Sequence, residues 1–182
     1  AIDRLIDNLI LDKNIKASDL LLGDRNAILI AARASAYGHI YRTNVVCPAC
    51  GERSRKSFNL LEPKVSHGGK WDEEYNINQN DSGNFVIKLP YSELLVEMRI
   101  LTGKEEVAMV LESQKRNKME NEIEATLTGM MRHYIVSVNG YDDRKIIEHV
   151  IKNLTAKETR IIRKAYKQLT PDLQIVGDFE CR

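Results

Sequence analysis

No apolar run in this sequence approaches the roughly 18 to 20 residues that a membrane-spanning helix needs, which excludes a helical span in the residues at hand. Charge of one sign is also missing. Lys and Arg number 27 against 26 Asp and Glu, a net charge of +1, so no global field draws the chain to nucleic acid or to an anionic membrane. Cysteine is scarce: three residues, with no secretory signal visible, argue against a secreted disulfide framework. Catalytic patterns are lacking too. The four His residues fall in unrelated segments, Glu148-His149 has no second His at metalloprotease spacing, and Thr102-Gly103-Lys104 lacks the glycine-rich loop of a phosphate site. These absences point to a protein without catalysis or a small-molecule substrate.

What is present centres on Cys47-Pro48-Ala49-Cys50-Gly51. Two thiols on one tight turn converge on a metal, Pro48 stiffens the turn, and Gly51 lets the backbone fold beneath the ion. Zinc is the expected ion and its role structural, because a site closed by four protein ligands leaves no open position for water. Cys181 is the expected third ligand, placed where a second C-x-x-C would begin. The chain starts at Ala1 and ends at Arg182, and it reads as a fragment trimmed at both ends, with the fourth ligand just past Arg182. His39 and His67 are reserve ligands. A redox dithiol would call for a strand-to-helix context, whereas Cys47 follows a β-rich run, Tyr41 to Val46.

Along the chain, Ile2, Leu5, Ile6 and Leu9 recur at helical spacing and predict an amphipathic helix ending near Leu11, whose apolar stripe needs a cover. Ser18 caps a short turn that Gly23 breaks, and Asp24 caps a second helix. That helix is apolar or small nearly all round from Ala27 to Ala34, which predicts a central helix packed on several sides, with Arg25 and Arg33 at its wetter edge and Gly38 as its stop. Residues 39–46 and 52–60 read as a hairpin carrying the cysteines at its tip. The stretch 61–84 reads as a polar loop made for a partner or mobile, with Trp71 either tacking it to the core, the favoured reading, or serving as an exposed anchor.

A second hairpin is predicted over residues 85–90 and 94–100. Thr102 and Glu105 form a capping box for a helix running to about Met119. A further helix spans Ile123 to Val138 and stops at Asn139-Gly140. Asp142 or Asp143 starts the next, and a second box, Thr155 to Glu158, starts the last; these three are expected to form a helical bundle. Residues 174–180 then run extended into Cys181. The predicted fold is a single α+β domain over 1–182: a helical bundle with short antiparallel hairpins and a zinc-ribbon-like knuckle, formed by 39–60 and 174–182 and closed by the C-terminal Cys.

Gly23-Asp24-Arg25, Tyr37-Gly38, the cysteine knuckle, Leu89-Pro90, the run Arg99 to Glu105, and Asp178-Phe179-x-Cys181 occur in an order that resembles the T4-like phage baseplate hub assembly chaperone family. The resemblance covers residues 2–181 and implies a contractile-tail protein that binds baseplate hub or tape-measure proteins during hub assembly. It implies action in the host cytoplasm, with retention in the virion baseplate left open, and a closing C-x-x-C of which only Cys181 is present. The first-helix stripe and the Trp71 loop are the candidate contacts. The alternative is a zinc-ribbon nucleic-acid-binding module using Arg42, Arg53, Arg55 and Lys56, disfavoured by the net charge.

Overall fold

The computed structural model describes residues 2–116 and 129–177. Helices α1 (Ile2–Leu9) and α2 (Leu22–Tyr37) lead into strands β1 (Ile40–Val46) and β2 (Arg53–Asn59). Then follow β3 (Lys64–Ser66), β4 (Ile77–Gln79), β5 (Phe85–Lys88), β6 (Leu95–Met98) and α3 (Gly103–Arg116). Helix α4 is described over 129–134; β7 (Ile135–Val138), α5 (Arg144–Asn153), α6 (Ala156–Leu169) and β8 (Asp172–Gln174) complete the order. Short 3-10 turns lie at Ala17–Asp19 and Glu73–Tyr75. The mixture of helix and antiparallel sheet is α+β, as expected.

The core is organised on a sheet, where the sequence led us to expect a bundle. Four strands pair antiparallel in the order β4-β5-β6-β7. Alternation aims Ile77, Phe85, Ile87, Val96, Met98 and Ile135 at one face, all of them buried. Ile147 and Ile151 of α5 and Ile162, Ala165 and Leu169 of α6 join the same apolar cluster. On the opposite face, Glu97 accepts hydrogen bonds from Ser137 Oγ (2.6 Å), Asn80 Nδ2 (2.8 Å) and Asn84 Nδ2 (2.9 Å). Those bonds, Ser137's first, hold its carboxyl below the usual range although burial pushes the other way.

Both capping boxes form. Thr102 N and Oγ1 donate to Glu105 Oε2 at 2.8 and 2.6 Å, and Glu158 N donates to Thr155 Oγ1 at 3.3 Å. Asp143 caps α5 through Lys145 N. Glu158 does more than cap: it is buried, and its Oε1 accepts Ser92 N at 2.7 Å, joining α6 to the β5–β6 turn. Tyr134 and Tyr166 stack with ring centroids 4.0 Å apart, and Tyr166 Oη accepts Leu101 N at 3.1 Å.

Several expectations are corrected. The helix predicted through Val138 ends at residue 134, because the β-branched Ile135, Val136 and Val138 favour a strand and Ile135, Ser137 and Val138 pair with β6. Asn139 and Gly140, at φ 51° and 81°, form the tight turn that follows, with Val138 and Tyr141 exchanging backbone bonds of 3.0 and 2.9 Å. Gly23 lies inside α2 instead of breaking a turn before it, and Leu21, not Asp24, precedes the helix as its cap. A Cβ at Gly23 would stand 2.1 Å from the Pro171 carbonyl oxygen, so only glycine permits this approach of α2 to the chain leading into β8.

Arg25, expected at a wet edge, is 4% exposed. Its guanidinium bonds Ala17 O (2.7 Å) and Asp3 (2.7 Å) and pairs with Glu106 (3.1 Å), tying α1, α2 and α3 together. The stretch 61–84 holds two strands and a 3-10 turn. β3 pairs with β8, and Trp71 packs edge-on to Phe85 with centroids 5.8 Å apart, so Trp71 tacks the segment down and is no exposed anchor.

Candidate functional site

The cysteine turn caps a two-stranded arm. β1 and β2 pair from Ile40↔Asn59 at the root to Val46↔Arg53 at the tip. Cys47 N donates to Glu52 O and Gly51 N to Cys47 O, both at 2.9 Å, closing the turn that holds the two thiols. Cys47 is buried and Cys50 exposed. No residue of either strand is fully buried: Thr43, Val45, Ser54, Lys56 and Phe58 on one face are half-buried and the other face is largely exposed, and a two-stranded hairpin with so little burial is marginal on its own. At the root, the Arg33 guanidinium lies 4.8 Å from the Tyr37 ring centroid and 5.6 Å from that of Tyr41, joining α2 to the arm.

The structure brings Cys47 and Cys50 together; Cys181 lies outside the described residues. Among the described residues, no group of three or more His, Cys, Asp or Glu side chains is arranged to hold a metal. His39 is at the root, where its carbonyl accepts Leu60 N, roughly 23 Å of strand away from the tip. Neither it nor His67 joins the two thiols. The chain after β8, which pairs antiparallel with β3, brings Gly177 against the Phe58 ring near the root of the arm. Of the cations considered for nucleic acid, Arg42, Arg53 and Arg55 share one exposed face of the arm, while Lys56 is half-buried on the other.

Two apolar surfaces flank the core. On α1 only Ile6 is buried, while Ile2, Leu5 and Leu9 are 54%, 48% and 45% exposed. Asp3 binds Arg25, and Asp7 Oδ1 accepts Ala17 N at 2.7 Å, so the polar residues hold the helix down and the apolar stripe faces out. Arg25 also pairs with Glu106, which brings α3 alongside, and there Val107, Val110 and Leu111 are half-exposed at helical spacing. Sequence reasoning missed this second stripe, because five consecutive apolar residues, Val107 to Leu111, obscure which face is buried.

Helix α2 gives the other surface. It touches α1, α3 and β8, as a helix packed on several sides should, but only Gly23 and Arg25 are fully buried. Its small residues Ala27, Ala31 and Ala34, with Ile30, form one wall of an open groove of about 450 Å³ whose opposite side includes Leu60 and Leu173.

A family model described as T4 bacteriophage base plate protein matches residues 1–182. The chain belongs to that family. Comparisons with curated proteins and with solved structures found no match. The protein is thus a phage baseplate protein, and some of the residues carrying the resemblance sit where the fold has little freedom, while others, such as Tyr37 and Cys50, are exposed. Gly23 meets Pro171, Leu89 and Leu101 are buried, and Gly103 lies so close to Arg25 that a Cβ would stand 2.4 Å from its Nη1. Arg99 pairs with Glu105 at 3.2 Å. Among the described residues no helix is long and apolar enough to cross a membrane.

Proposed function

We propose that this baseplate protein acts without catalysis, binding hub or tape-measure subunits during hub assembly in the host cytoplasm through the exposed apolar faces of α1 and α3. The observation that carries this reading is the outward stripe Ile2, Leu5 and Leu9 on a helix whose polar residues are engaged inward. Side chains of this size at helical spacing are the usual anchors of helix recognition. The test is a Leu5→Ser/Leu9→Ser variant in phage complementation, with co-purification of the hub subunits. Both positions are exposed, so the variant is expected to fold with unchanged melting and to lose its hub partner. Normal co-purification would remove the α1 face from the mechanism. Mass spectrometry of purified particles beside the lysate then separates a retained baseplate subunit, at fixed stoichiometry in particles, from a chaperone that leaves.

The proposal includes a structural zinc held by Cys47, Cys50 and Cys181. Supporting it are the two thiols on one turn and the absence of any fully buried residue in the two strands that carry it. A bound zinc would supply the tip with cross-links that the strands do not provide. Metal analysis of the protein beside Cys47→Ser and Cys181→Ser tests it: equal zinc in all three would eliminate the site. The nucleic-acid alternative requires salt-dependent binding lost with Arg53 and Arg55, and salt-insensitive association with a tail protein argues against it.

A further inference from the structure

We propose that the outer face of α6 is a docking strip for an acidic segment of another protein. The strip is independent of the α1 and α3 faces, so either can fail without the other. Lys157, Arg160, Lys164 and Lys167 recur at intervals of three, four and three residues and are all exposed, while Glu158, Ile162, Ala165 and Leu169 turn to the core. Four cations thus line one helix face over roughly 15 Å.

Among the described residues no carboxylate is within ion-pair distance of them. Every position three or four residues from each of the four is neutral or basic. Among the described residues none of the four forms an ion pair, and Lys157 instead lies over the Tyr91 ring, 5.7 Å from its centroid. Like charges at these spacings repel, which weakens the helix. Lys157, in the first turn, also faces the positive end of the helix dipole. Carboxylates laid along the strip would relieve both effects.

The neighbouring surface indicates which kind of anion. Beside the strip is a recess of about 280 Å³ lined by Tyr75, Lys88, Pro90, Arg160, Ile161 and Lys164, with Glu74 also on its wall. Cations around an apolar floor suit a polypeptide that offers acidic side chains together with an apolar one. A phosphate backbone has no group for that floor.

The test uses the whole chain and a fluorescent amphipathic helical peptide of about 15 residues, with four Glu at the strip's spacing and an intervening Leu. Its companion carries Gln for each Glu, and single-stranded and duplex DNA serve as competing probes. The Glu peptide is expected to bind at least about tenfold more tightly than the Gln peptide, and more weakly at about 200 mM than at about 50 mM salt. Arg160→Gln/Lys164→Gln should lower that affinity by about tenfold or more, while melting at the same or a higher temperature because repulsion is removed. Equal binding of the two peptides, or an unchanged affinity in the double variant, would overturn the proposal. DNA binding tighter than the Glu peptide and lost in the same variant would overturn it in favour of nucleic acid.

Discussion

The arm's strands are seven residues each and the sheet's only three or four, yet the shorter strands are the better held, because the two are held by different physics. In the four-stranded sheet, one face is covered by α5 and α6, so each inward residue from Ile77 to Ile135 gains stability by burial. In the arm the backbone ladder is equally regular, yet no side chain on either strand is fully buried. Hydrogen bonds alone contribute little net stability, so the arm depends on its root at Arg33, on its cysteine tip, or on a partner. A ladder thus gives a strand its shape, and a covered face gives it its stability.

That contrast can be broken most forcefully from the core side. Ile162 is fully buried beneath the sheet, and Ile162→Ala is expected to cost about 4 kcal/mol in urea unfolding. A cost below about 1 kcal/mol would mean that α6 does not carry the core. Gly23→Ala drives a Cβ into the Pro171 carbonyl and should cost about 3 kcal/mol, read by the same measurement.

Glu158 sharpens the comparison through pH. Burial raises its affinity for a proton, but the bonds from Ser92 and Thr155 outweigh this and leave its carboxyl below the ordinary value of 4.5. A depressed value means stability that is fully present above the unfolded value and is lost as pH falls through the lower folded one. Unfolding titrations should therefore show acid destabilisation of the core that Glu158→Gln flattens, with the amides of the arm unaffected.

The smallest global effect is expected at the tip. Cys47→Ser, or treatment with a zinc chelator, should accelerate amide exchange in β1 and β2 while moving the main unfolding transition by less than about 1 kcal/mol. Unaltered exchange in the arm would show that the thiols do not staple it, and a collapse of the whole transition would erase the distinction between arm and core.

Local signals were legible in the sequence and distant ones were not. Both capping boxes, the Asp143 cap, the cysteine hairpin and the alternation of β6 are encoded within a few residues, and each appears as expected. Arg25 was misjudged because its burial depends on Asp3 and Glu106, which sequence spacing does not connect to it. β3 and β4 are three residues each, too short to display a period, and the partner of β3 lies beyond residue 170. Asn139-Gly140 was the instructive case. The pair serves as either a helix stop or a hairpin turn, and the β-branched residues before it favoured the turn. For the candidate site, spacing found the cysteine pair and the α1 stripe, while the α2 groove and the α3 stripe emerged only from packing.

The contact between Gly23 and Pro171 also sets an order of events during synthesis. Helix α2 leaves the ribosome long before the segment that its first turn is shaped to receive. At typical elongation rates the delay is on the order of ten seconds. Throughout that interval the apolar stretch from Ala27 to Ala32 lacks a native neighbour, so the nascent chain is exposed to off-pathway association until β8 emerges.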